Sequence, residues 1–69
     1  MDNGVYLKEM GSKIKAARKL HKISYPKMSK LCGIDMSNLW FIENGERNVH
    51  ILTLKAIADV LKVDVKDFL

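Results

Sequence analysis

The stretch from Ser24 to Gly45, SYPKMSKLCGIDMSNLWFIENG, restricts the fold more than any other part of the chain. It reads as two short helices joined by a glycine turn. Ser24 has a hydroxyl suited to capping the first, and Met28 and Leu31, three apart, mark its inner face. Pro26 is tolerable only within the first turn, where its missing N–H has no intrahelical acceptor to lose. Gly33 falls just past the last turn, where a positive φ costs glycine little. Asp35 is placed to cap the second helix, Leu39 and Ile42 form its apolar stripe, and Asn44-Gly45 is its stop signal.

The remainder of the chain supplies partners for this pair. Residues 1 to 5 read as a loose start, since Asn3-Gly4 is too flexible to begin a helix unaided. From about Tyr6 to about His21, Leu7, Met10, Ile14 and Ala17 recur at spacings of three and four, which predicts an amphipathic helix with its lysines outside. Gly11 is a mild cost in its interior. Residues 46 to 50 are polar and read as a loop. Leu54, Ile57, Ala58 and Leu61 then predict a further helix, and Asp64 is placed to cap a last turn ending at Phe68 and Leu69. With 69 residues and no internal linker or repeat, the expectation is one all-α domain over 1–69, a compact five-helix bundle with a thin core.

Charge is distributed unevenly. Residues 8 to 30 carry eight basic side chains (Lys8, Lys13, Lys15, Arg18, Lys19, Lys22, Lys27 and Lys30) against Glu9, or +7. Residues 31 to 69 carry four basic and six acidic groups, or −2, and Asp2 brings the sum to +4. The N-terminal half is the side that suits a polyanion. No apolar run is long enough to span a membrane and no signal peptide is evident, so a cytoplasmic location is expected. A lone Cys32 forms no internal disulfide and reads as a small buried apolar residue. His21 and His50 lie far apart, beside polar or basic residues, and neither metal-ligand nor nucleophile–base spacing is present. No phosphate loop or dinucleotide fingerprint occurs. Neither an enzyme nor a cofactor is expected, and with no strand-borne aromatic motif RNA is a poor candidate partner.

Met10-Gly11, Ile14, Arg18, Ser24, Met28, Leu31, Gly33-Ile34, Leu39, Ile42-Glu43-Asn44-Gly45, Leu54, Ile57-Ala58, Leu61 and Val63 stand in an order that resembles the Cro-like phage-repressor helix-turn-helix family, also called XRE. The resemblance runs from about Met10 to Leu69. It implies a lambda-repressor-like bundle with its helix-turn-helix unit at about 24–45, and an ion pair between Arg18 and Glu43. It further implies a sequence-specific double-stranded DNA-binding transcriptional regulator whose second motif helix, about 36–44, enters the major groove. The base-edge positions would be Met36, Ser37, Asn38 and Phe41, with Trp40 beside them. Phosphate contacts would come from Tyr25, Lys27, Asn44, Arg47 and Asn48. Relatives commonly bind pseudo-palindromic operators as homodimers. Leu52, Val60, Val65 and Leu69, off the main stripe, are the material for such an interface. The Glu-Arg-Asn run at 46–48 also resembles the small controllers of restriction-modification operons; antitoxins and phage or mobile-element regulators are the other roles open to such a chain.

The chain departs from that family where it matters most. Relatives place polar side chains on the reading face and a glutamine where Tyr25 stands, whereas here Met36, Trp40 and Phe41 are apolar. Three readings of that face stay open. Met36 and Phe41 would touch thymine methyl groups while Ser37 and Asn38 read polar edges. Alternatively, the fold is repurposed as a protein-interaction module, antitoxin-like or partner-docking, through Met36, Trp40 and Phe41. In the third, Trp40 folds back over the first motif helix to thicken the core.

Overall fold

The computed structural model describes residues 3–69. Four α-helices follow one another: α1 (Asn3–Leu20), α2 (Tyr25–Cys32), α3 (Met36–Glu43) and α4 (Ile51–Leu61). The expected fifth helix is a 3-10 helix over Val65–Phe68. Its bonds run from Asp67 N–H to the Asp64 carbonyl and from Leu69 N–H to the Lys66 carbonyl, the i→i+3 pattern that seldom extends beyond a few residues. Asp64 caps it as anticipated, accepting from the Lys66 N–H at 3.1 Å. Its product is Phe68, which it turns into the core against α1 and α4.

Ile14, Met28, Leu39, Ile42, Leu54, Ile57 and Leu61 are fully buried and draw on all four α-helices. Around them stand Leu7, Ala17 and Ile23, half-buried and packed against the same core. The residues fall where helical periodicity placed them, with three exceptions. Leu31 is exposed, and Ile34, just past the turn, occupies the inner space instead. Val60 and Val65 pack on their own core, so of the four residues set aside for an interface only Leu52 and Leu69 remain well exposed. Cys32 is half-buried, and burial pushes its thiol pKa up, which disfavours the thiolate.

A single device ends every α-helix. The N–H groups of Ile23, Ile34, Glu46 and Val63 each reach back five residues, to the carbonyls of Arg18, Ser29, Phe41 and Ala58. Immediately before each stands a residue in the left-handed region: Lys22 (φ 55°), Gly33 (70°), Gly45 (71°) and Lys62 (58°). This is the Schellman ending, in which the residue after the left-handed one covers the last turn with an apolar contact. Ile23, Ile34 and Val63 fit that description, and each packs on the core. The glycine stops were visible in sequence, whereas the two lysine stops were not. At the N-termini the Ser24 hydroxyl accepts from the Lys27 N–H at 3.3 Å, but the Asp35 carboxylate makes no capping bond and offers α3 only its charge. Helix α1 already includes Asn3, ahead of the expected Tyr6, because extending a helix already anchored by packing costs far less than nucleating one; residues 1 and 2 of the expected loose start lie outside the described residues.

Candidate nucleic-acid interface

Helix α3 has eight residues, and its placement depends on what grips its C-terminal end. Arg18, on the inner face of α1, meets Glu43, the last residue of α3, through two bonds. Its Nε–H donates to Oε2 at 2.7 Å and its second terminal nitrogen to Oε1 at 3.1 Å. The other terminal nitrogen donates to the Ile23 carbonyl at 2.8 Å, and the Tyr25 hydroxyl donates to Glu43 Oε1 at 3.0 Å. The Tyr25 ring lies under the guanidinium, 4.1 Å from its centroid. A two-pronged arginine–carboxylate pair forms at one relative placement of its helices, so this cluster holds α1, α2 and α3 in register. Both charges are buried, and among the described residues every buried side-chain nitrogen and oxygen has a partner. The hydrogen bond to Glu43 raises the Arg18 pKa further. Burial, then the bond to Glu43, raises that of Tyr25.

Of the two groups by which Tyr25 could meet a phosphate, its hydroxyl and its backbone N–H, the hydroxyl is therefore turned inward. What Tyr25 retains for that role is its backbone N–H at the start of α2, where helical N–H groups have no intrahelical acceptor.

Gly11 proves to be a positioning residue that periodicity missed. A Cβ built there would lie 2.5 Å from the carbonyl oxygens of both Ile42 and Glu43. Gly45 mirrors it, since a Cβ there would meet Lys8 Cα at 2.6 Å. The backbone of α1 thus rests directly on the end of α3. The available signal was a glycine inside an otherwise strong helical pattern.

With Leu39, Ile42 and Glu43 inside, α3 turns Met36, Ser37 and Trp40 outward; Met36 is 50% exposed and Trp40 45%. Trp40 does not fold back over α2 into the core; its ring partner is Phe41, edge to face at 5.3 Å. Asn38 and Phe41 are half-buried, and Arg47 from the following loop holds both. An Arg47 terminal nitrogen donates to Asn38 Oδ1 at 2.9 Å, and its guanidinium carbon lies 4.6 Å above the Phe41 ring. One face of Phe41 is thus covered. Asn44 Nδ2 donates to the Trp40 carbonyl at 2.9 Å, so one of the two N–H donors of its amide helps to cap α3. Asn48 Oδ1 accepts from the Val49 N–H, turning its NH2 end away from its own backbone. Lys27 is exposed in the first turn of α2.

This arrangement, a short helix held at its inner end with its outer face free, is that of a helix-turn-helix. The helix-turn-helix family model matches residues 14–68. The chain belongs to this family. No curated protein matches it in sequence. Among solved structures it is similar to the restriction-modification controller protein C.AhdI from Aeromonas hydrophila, with a TM-score of 0.87 at 24% identity, over 91% of this chain and 96% of that one. It is similar to the DNA-binding domain of BldD, with a TM-score of 0.85 at 25% identity, over 100% and 99%. It is also similar to a transcriptional regulator of this family from Vibrio cholerae, with a TM-score of 0.88 at 27% identity. That likeness covers 97% of this chain and 38% of the other.

Proposed function

We propose that this protein reads double-stranded DNA by sequence, with α3 in the major groove and Met36, Ser37 and Asn38 at base edges. Its standing as a DNA-binding regulator follows from its family. Family membership supports DNA, and not a protein partner, as the target of the outer face of α3. The observation that carries the proposed reading is the exposure of that face while the Arg18–Glu43–Tyr25 cluster holds its inner end. A helix fixed in this way reaches the groove with little left to order, which favours affinity. Met36 meets a thymine C5-methyl, the one apolar feature of the major groove, and Ser37 and Asn38 supply hydrogen bonds. Phe41, with Arg47 over one face, supports these residues more than it reads.

Lys27, Arg47, Asn48 and the backbone N–H of Tyr25 at the start of α2 contact phosphates and set the register. Asn44 joins these phosphate contacts through the second N–H of its amide. The whole of 1–69 acts as one domain, without metal or cofactor, in the cytoplasm; no helix among the described residues is long and apolar enough to cross a membrane. A controller-type role, of the kind named for C.AhdI, is the first biological setting to test.

One short helix reads few base pairs, so the protein binds a pseudo-palindromic site as a homodimer with half-sites about one helical turn apart. Exposed Leu52 and Leu69, with Ile51 and Tyr6 nearby along an apolar groove, supply the surface. Sedimentation equilibrium at tens of micromolar tests this, and a monomer mass would reject it.

The base contact has its own test. A duplex enriched from a random pool is resynthesised with uracil in place of each thymine in turn, which removes only the methyl group. Wild type weakens at the position read by Met36, whereas Met36→Ala is indifferent there. Indifference of wild type at every position would refute the methyl contact.

A further inference from the structure

The loop after α3 sends a guanidinium back onto the reading helix. Arg47 donates to Asn38 Oδ1 at 2.9 Å across nine positions of sequence, and lies 4.6 Å over Phe41, whose ring is braced edge-on by Trp40 at 5.3 Å. Arginine has five N–H donors and no acceptor, so chemistry alone requires that the Asn38 atom facing it be the carbonyl oxygen. Stacking on Phe41 holds the planar guanidinium in place, which a lysine would not achieve by stacking. Asn38 is the third residue of α3, within the N-terminal part that meets base edges in this class of fold.

An asparagine free to turn reads adenine with both ends of its amide, the NH2 to N7 and the oxygen from the N6 amino group. Here the oxygen faces Arg47. The oxygen keeps a second lone pair, but the guanidinium's positive charge beside it disfavours the approach of another donor. What Asn38 can offer freely is its NH2 group, with two donors and no acceptor.

We propose that Arg47 is a positioning residue that fixes the Asn38 amide, so that Asn38 reads guanine, whose N7 and O6 are adjacent acceptors, and rejects adenine. This inference rests on the DNA-reading function above. Specificity at that position is then set by a loop residue that need not touch the base.

The test is selection from a random-sequence duplex pool with four proteins: wild type, Asn38→Ala, Arg47→Lys and Arg47→Gln. Arg47 is exposed, so its variants fold, which far-UV circular dichroism verifies. The position at which Asn38→Ala flattens the preference identifies the base read. There, wild type favours G·C over A·T by about tenfold, within what one good side-chain–base pair supplies, and Arg47→Lys, a cation that donates but does not stack, keeps part of that preference. Arg47→Gln, whose amide both donates and accepts, lets Asn38 turn and relaxes the preference toward A·T. The proposal is overturned if wild type selects A·T at that position. It is equally overturned if Arg47→Gln leaves the preference intact and only weakens all sequences alike with a salt slope lower by about one, the behaviour of a plain phosphate contact. Failure of wild type to enrich any sequence would instead reject the DNA-reading function itself, and this inference with it.

Discussion

Replacing Gly11 by alanine sets two effects of opposite sign against each other. Helix propensity favours alanine by about 1 kcal/mol at an interior position, and Gly11 lies within an 18-residue helix. The new Cβ, however, would sit 2.5 Å from two backbone oxygens of α3, and backbone cannot turn aside as a side chain can. Even a tight contact near 3.0 Å requires α1 and α3 to separate by at least 0.5 Å (3.0 − 2.5). Overpacking of this kind costs about 1–3 kcal/mol, and a gap of roughly 0.5–1 Å elsewhere along the seam forfeits about a quarter to a half of its dispersion energy. The Arg18–Glu43 bonds lie on the same seam and lengthen with it. Taking the upper part of that range and subtracting the propensity gain leaves a net loss of about 2 kcal/mol. For 69 residues, total stability is about 3–10 kcal/mol at typical per-residue values, so the loss is a substantial fraction. At roughly 4–8 °C per kcal/mol for a domain of this size, Tm should fall by about 8–16 °C in a thermal melt followed by far-UV circular dichroism. Ala16→Gly, on the exposed side of the same helix, is the control and should lose about 1 kcal/mol from propensity alone. A Gly11→Ala protein as stable as wild type, or more so, would show that the close approach of α1 to α3 does not constrain the fold.

Three further outcomes follow from the same geometry. Arg18→Met strands a buried carboxylate and should cost roughly 3–5 kcal/mol in a urea melt, whereas Arg18→Met with Glu43→Leu should recover a large part of it; equal instability of the single and double variants would argue against a charge-specific penalty. Lys62→Gly relieves a left-handed residue and should stabilise by about 0.5–1 kcal/mol net of glycine's own entropy, and a lower Tm would contradict this. Tyr25 has its pKa raised above 10.0 in the fold, so its neutral form contributes stability that is complete below about pH 10 and lost as pH rises through the raised value. Tyr25→Phe should therefore flatten the decline in stability as pH rises above about 10, and parallel curves for the two proteins would refute that contribution.

Much of this could be read before any coordinates, because periodicity reports on whatever local geometry decides. Ile14, Met28, Leu39, Ile42, Leu54, Ile57 and Leu61 lie inside because helical spacing put them on one face. Gly33 and Gly45 end helices because a positive φ favours the residue without a Cβ. Where tertiary packing decides, sequence was silent or misleading. Leu31 and Ile34 exchange roles because Leu31 falls on the outer side of the last turn of α2, and the residue just past the turn, Ile34, packs on the core instead. Lys22 and Lys62 carry no mark of their left-handed backbone, since the core contacts of Ile23 and Val63 impose it. The inward hydroxyl of Tyr25 depends on Arg18 lying over its ring, and the bond between Arg47 and Asn38 on the path of a loop. Neither leaves a periodic trace.

One titration decides whether the outward face of α3 reads sequence. Fluorescence anisotropy with the enriched duplex and an unrelated duplex, at two salt concentrations, compares wild type with Met36→Ala and Asn38→Ala. If it does, both duplexes bind with an affinity that weakens with salt, and the enriched one is preferred by about a thousandfold or more. Each variant should lower that preference by about tenfold without altering the salt dependence. Equal binding of the two duplexes by the folded protein, or a preference that survives both substitutions, would contradict sequence reading by that face.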